Sequence, residues 1–120
     1  MVEGAFRLKR GEIWTVSGGA DYVGKPRPAI IIQSDDFDST PSITVCPLTT
    51  AAIKTVYARF PISPSAANGL ENESHAMVDK ISTIPKIKSG RRVGQLNAED
   101  ILRLNSAIAL FLGLADRHSA

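Results

Sequence analysis

The sequence has one cysteine and two histidines in 120 residues. Cys46 therefore has no partner for an internal disulfide. His75 and His118 stand far apart, and no Cys, Asp or Glu lies at a spacing that matches a zinc or di-metal site. No metal and no other cofactor is expected. Long hydrophobic runs are missing too: the longest, Ala107–Leu112, has six residues, against the roughly 20 that a membrane-spanning helix needs. No membrane partner is expected. The opening Met1–Arg7 carries no apolar leader, which together with the single cysteine predicts a cytoplasmic protein. There is no Walker sequence, and Gly18-Gly19 lacks the strand-GxGxxG-helix context of a nucleotide fold, so these glycines are read as shaping a loop. Aromatic residues are scarce at 6%, so any stacking on a nucleic-acid base rests on few side chains. Trp14 reads as core, and Tyr22, in a glycine-flanked loop, is the better platform.

What is present is ordinary in amount. With 43% hydrophobic and 22% charged residues, the chain reads as one folded domain spanning residues 1–120, not as a disordered or fibrous one. Strands are predicted at Gly11–Val16, Ala29–Gln33, Ile43–Cys46, Tyr57–Ile62, Ala76–Ile84 and Val93–Leu96. The β-branched run at Ile30–Ile32 suggests burial on both faces, and at Pro47 the preceding strand should end or meet an edge, because proline cannot donate to a ladder. Asn68-Gly69 marks a turn. At Asn97 the period changes: this residue can cap a helix, Glu99 and Asp100 suit its first turn, and Ile101, Leu104, Ile108, Phe111 and Leu112 recur at helical spacing up to Gly113. The small polar tail after Leu114 should fray. The expected fold is mainly β with one C-terminal α-helix, a strongly bent antiparallel sheet or small barrel with the helix packed across it.

The net charge of +2 is modest, but its distribution is not even. Lys80, Lys86, Lys88, Arg91 and Arg92 face only Asp79 between Met77 and Gln95, a local basic field suited to a polyanion, or else a solvated loop. Lys25-Pro26-Arg27-Pro28 is the most informative local feature. Each proline disfavours the helical region for the cation before it, so Lys25 and Arg27 are held extended, and the guanidinium is preorganised to grip a phosphate. Thr49 and Thr50 offer hydroxyls just past a strand end, suited to a ligand or to capping a turn. Asp79, in an apolar stretch, needs a partner: it could hold Arg27, act as a base, or pair with Lys80 or Arg59. His75 is read as a surface histidine, with proton transfer as the alternative.

The ordered segments Arg10-Gly11-Glu12-Ile13-Trp14, Lys25-Pro26-Arg27-Pro28-Ala29-Ile30-Ile31, Val45-Cys46-Pro47-Leu48-Thr49-Thr50, Ser74 to Thr83, and Val93-Gly94-Gln95-Leu96 before a terminal helix resemble the MazF/PemK family of type II toxin–antitoxin toxins. The resemblance covers about residues 9–114. It implies a small SH3-like barrel (CcdB/PemK-like) that forms a homodimer and acts as a metal-independent, sequence-preferring endoribonuclease, or mRNA interferase. Such an enzyme cleaves single-stranded RNA to 2′,3′-cyclic phosphate and 5′-hydroxyl ends. Carried over by position, the catalytic residues are Arg27 as a clamp on the phosphate oxygens, Thr49 as a hydrogen-bond donor, and Asp79 as orienter of Arg27 or as base, with orientation favoured. Tyr22, Lys25, Thr50, Lys80, Lys86, Lys88 and Arg91 are the candidate RNA-binding residues. The implied protein partner is a cognate antitoxin whose acidic, disordered segment lies across the same groove.

Two positions depart from the PemK branch. An arginine that takes part in acid–base work there is Met77 here, and a first-loop histidine is replaced by Asp21 and Tyr22. A second proton-transfer group is thus unassigned, and the sequence stands closer to the arginine–threonine pair of the MazF branch. The alternatives are a non-catalytic toxin that inhibits DNA gyrase through a terminal helix, and a catalytically silent RNA- or peptide-binding barrel.

Overall fold

The computed structural model describes residues 7–17, 25–51 and 58–116. The strands are β1 (Glu12–Val16), β2 (Arg27–Ile31), β3 (Ser42–Thr49), β4 (Arg59–Ile62), β5 (Ser74–Met77), β6 (Ser82–Pro85) and β7 (Ser89–Gln95), followed by the helix α1 (Ala98–Phe111). They form one antiparallel sheet in the order β4-β5-β3-β2-β1-β7, with β6 also paired to β3. The expected class, mainly β with one C-terminal helix, is what the chain adopts, but the sheet is not closed into a barrel. Instead the loop after β4 leans on β7. Gln95 N donates to the Ala67 carbonyl at 3.0 Å, and Gly94 lies so close to the backbone of Ala67 and Asn68 that a Cβ there would clash.

β2 is buried on both faces, as its β-branched run predicts. Ile30 joins Ile13, Cys46, Leu48, Ile62 and Ala76 under Leu104 of α1, while Ala29 and Ile31 face Val16, Ile43, Val45 and Ile84, against which Trp14 packs. Period-two alternation along β1, β2 and β3 therefore sorts the core into two layers.

β2 begins two residues earlier than expected, at Arg27, and β7 four residues earlier, at Ser89; two further differences trace to one proline. Ile32 N donates to the Thr44 carbonyl at 3.1 Å, which turns the even-numbered residues of β3 toward β2 and the odd-numbered ones outward. The nitrogen of Pro47 thus points outward, where it has nothing to donate, so β3 need not stop there and runs on to Thr49. Its outer neighbour changes instead. β6 pairs with Ser42–Val45, β5 pairs with Leu48 and Thr49, and residues 46 and 47 fall between the two ladders. The stretch expected as one strand over Ala76–Ile84 is accordingly broken by a 3-10 turn at Val78–Lys80, where the chain passes from one ladder to the other.

The helix starts and stops where its signals predict. Asn97 Oδ1 accepts from Asp100 N at 2.7 Å, and past Phe111 the chain turns at Gly113 with φ +76°. Leu104 is fully buried, with Ile101 and Ile108 partly so. Phe111 and Leu112, which share the apolar spacing, stay exposed at 49% and 58% because the sheet does not extend beneath the last turn of α1.

Candidate active site

Antiparallel register, more than any single loop, assembles the candidate residues. Arg27 opens β2 and pairs with Val16 of β1, which in turn pairs with Ser89 of β7. β2 and β3 pair through Ala29↔Pro47, and continuing that register by two residues sets Arg27 opposite Thr49. Pro28 cannot donate to Leu48, so the ladder ends before this position. In that continued register Arg27 and Thr49 are opposed as the type of pair that lacks backbone hydrogen bonds, where side chains approach most closely. Thr49 pairs on its other side with His75 of β5, and His75 with Pro61 of β4. Ser89, Val16, Arg27, Thr49, His75 and Pro61 thus form a transverse row on one face.

Within this row Val16 is fully buried, Ser89, Thr49 and His75 are half-buried, and Arg27 and Pro61 are exposed. The Thr49 hydroxyl accepts from Ala51 N at 3.2 Å, which fixes its oxygen and leaves its proton free to donate outward. His75 Nδ1 is buried and has no hydrogen-bond partner. Lys25 and Thr50 are exposed beside the two strand ends, while Tyr22 lies outside the described residues.

Asp79 sits in the 3-10 turn, and its two oxygens accept from Arg59 Nε and Nη2 at 2.9 and 3.0 Å. Of the partners open to it, Arg59 meets both oxygens, and no hydrogen bond joins it to Arg27 among the described residues. The Arg59 hydrogen bonds hold its pKa below the usual carboxylate value despite burial, which makes it a poor base. Arg59 was legible in the sequence only as one of two possible partners. Burial, reinforced by the Asp79 charge, pushes the Cys46 thiol up to about 12, so it is no nucleophile.

The basic segment is partly committed to the fold. Arg92 Nε donates to Glu12 Oε2 at 2.8 Å, the same carboxylate that accepts from Trp14 Nε1 and Lys9 N, and Lys86 Nζ donates to the Asp38 carbonyl. Lys88 and Arg91 keep exposed side chains. The Lys88 carbonyl accepts from Ser17 N at 3.1 Å, which fixes this residue just beyond the Ser89 end of the row. Lys80 is exposed in the 3-10 turn. Among the described residues no three His, Cys, Asp or Glu side chains gather where they could hold a metal ion, and no helix is long and apolar enough to cross a membrane.

A second surface feature lies on the helix side. A groove of about 690 Å³ runs between β4 and α1, lined by Ala58, Phe60, Leu102, Ala107, Leu110 and Phe111 among others. Arg103 bridges it, with its guanidinium 4.8 Å from the centre of the Phe60 ring and 2.9 Å from Asp100.

Comparison with known proteins agrees with this architecture. Residues 9–112 match the family model described as PemK-like, MazF-like toxin of type II toxin-antitoxin system. A probable endoribonuclease MazF of Mycolicibacterium smegmatis is 43% identical over 108 residues, spanning 90% of this chain and 99% of the relative. Among solved structures, the Mycobacterium tuberculosis toxin MazF-mt6 superposes with a TM-score of 0.74 at 27% identity, covering 88% of this chain and 99% of that one. A mycobacterial endoribonuclease solved with its cognate antitoxin shares the fold, with a TM-score of 0.75 at 23% identity over 90% of this chain and 97% of that one.

Proposed function

Because the chain belongs to the PemK-like, MazF-like family of type II toxin–antitoxin toxins, we propose that it is an endoribonuclease whose scissile phosphate lies over Arg27 and Thr49. What supports this reading is the β2–β3 register, which, continued two residues past Ala29↔Pro47, sets Arg27 at the start of β2 opposite Thr49 at the end of β3. The substrate's 2′-hydroxyl attacks the adjacent phosphorus, and negative charge grows on the non-bridging oxygens. The Arg27 fork and the Thr49 hydroxyl are donors suited to that charge, and a guanidinium stays protonated throughout. The products are a 2′,3′-cyclic phosphate and a 5′-hydroxyl. The guanidinium supplies the positive charge, so the reaction is expected to proceed in EDTA.

Lys25, Thr50, Lys80, Lys88 and Arg91 are assigned to the flanking phosphates, with Lys86 a weaker candidate because its ammonium is engaged by Asp38. An antitoxin with an acidic, disordered segment fits the same basic surface, and complementary charge makes its association fast and salt-sensitive. Leu102, Leu110 and Phe111, exposed beside the groove on α1, are proposed as the homodimer contact.

The test is incubation of purified protein with long single-stranded RNA in EDTA, followed by mapping of the new ends. Cuts with 5′-hydroxyl termini, slowed about 100-fold or more in Arg27→Ala, are expected. Intact RNA alongside growth arrest would transfer the toxin to a non-catalytic mode of action.

A further inference from the structure

We propose that His75 is the proton-transfer residue of this site, accepting the 2′-hydroxyl proton of the RNA. The inference rests on the preceding reading of Arg27 and Thr49 and adds the group that those two cannot replace. A guanidinium and a threonine hydroxyl both donate hydrogen bonds, but neither is a useful proton acceptor near neutral pH. A neutral imidazole carries a ring nitrogen with a lone pair that can accept a proton.

Position is the first argument. Thr49 and His75 are direct cross-strand partners, so the imidazole stands next to the proposed phosphate donor on the same face of the sheet, with Thr49 between it and Arg27. The second argument is its setting. His75 is half-buried, so the fold holds the ring in place while part of it stays exposed beside Thr49. The third argument is elimination. Asp79 has both oxygens on Arg59. Glu73 precedes β5 and lies beyond the row, exposed.

In the step as drawn, the bond from O2′ to phosphorus forms while the bond from phosphorus to O5′ breaks. The O2′ proton passes to the His75 imidazole, and O5′ leaves with a proton from water. The imidazolium then returns its proton to solvent, so no other reactant is consumed.

The experiment compares wild type, His75→Ala, His75→Gln and Glu73→Gln on an RNA oligonucleotide that the wild type cuts. Single-turnover rates, Kd for the 2′-deoxy version of the same oligonucleotide, and thermal melts are measured. The expected result is a loss of about 100-fold or more in rate for both His75 variants, with Kd and melting unchanged, the wild-type rate retained in Glu73→Gln, and partial recovery of His75→Ala by added imidazole. A His75→Gln rate close to wild type overturns the proposal and leaves the Arg27–Thr49 reading standing. A rate loss that follows the loss of Kd or of melting temperature, or that imidazole does not restore, also overturns it, by assigning His75 to binding or packing. A wild type that cuts no RNA overturns both.

Discussion

Arg59 and Asp79 meet through two hydrogen bonds each, with their side chains only 7% and 23% exposed, and this pairing ties the edge strand β4 to the turn at Val78–Lys80. Because the folded-state pKa of Asp79 is depressed, its contribution to stability is fully present above the ordinary carboxylate value and is lost as pH falls through the lower folded value. Asp79→Asn should cost about 3 kcal/mol at neutral pH, since it leaves a nearly buried guanidinium half-paired. It should also flatten the fall in stability below about pH 4. Urea unfolding followed across acid pH checks both. Arg27 is the opposite case, an exposed side chain with no hydrogen-bond partner among the described residues. Arg27→Lys should leave the melting temperature unchanged and still lose most of the cleavage rate, about 10-fold or more, because an ammonium lacks the planar fork. The sequence made Arg27 legible through its flanking prolines, since their effect is local. It left Asp79 open among several partners, because which cation reaches a carboxylate depends on a crossing between ladders that no short segment encodes. Arg10 shows the same limit: it donates to the Ile32 carbonyl and to Asn105 Oδ1, both at 2.8 Å, and nothing near it in the chain announces either contact.

At the level of elements, signals carried within one segment were readable and those that depend on a neighbour were not. Asn97, Glu99 and Asp100 announce the helix start, and Gly113 its end, because capping is settled within one turn. Asn97→Ala should lower stability by about 1 kcal/mol, measurable as a shift in the urea midpoint with the slope unchanged. Pro47 was legible as a break in hydrogen bonding, but its strand continues, because the missing donor faces outward where the neighbouring strand changes. The Ala76–Ile84 segment has strand composition throughout, and it is broken because β3 takes two successive partners on one side. The transverse row was beyond reach of the sequence for the same reason: Thr49 and His75 lie 26 positions apart and meet only through register.

The whole molecule leaves apolar surface on one side. Leu102, Leu110 and Phe111 are 66%, 44% and 49% exposed, clustered along a groove between α1 and β4. Periodicity marked Phe111 as core because it follows the stripe of Leu104 and Ile108, and a single-chain reading has no means of telling an inner face from one that awaits a second subunit. Leu102→Glu combined with Phe111→Glu should convert the proposed homodimer to a folded monomer, seen as a halved mass in light scattering with an unchanged circular dichroism spectrum. Persistence of the dimer would move its contact elsewhere.

Pro47 also divides the molecule mechanically. The central strands β1, β2 and β3 are laced by backbone bonds along most of their length, whereas the β4–β5 hairpin is joined to β3 by two register pairs, to β7 by the Gln95–Ala67 backbone bond, and otherwise by side chains such as Ile62, Ala76 and Arg59. The transverse row straddles this seam, with Arg27 and Thr49 in the stiff panel and His75 on the flap. A polymer gripped at both ends of the row would brace the flap against the panel, so occupancy and rigidity should rise together.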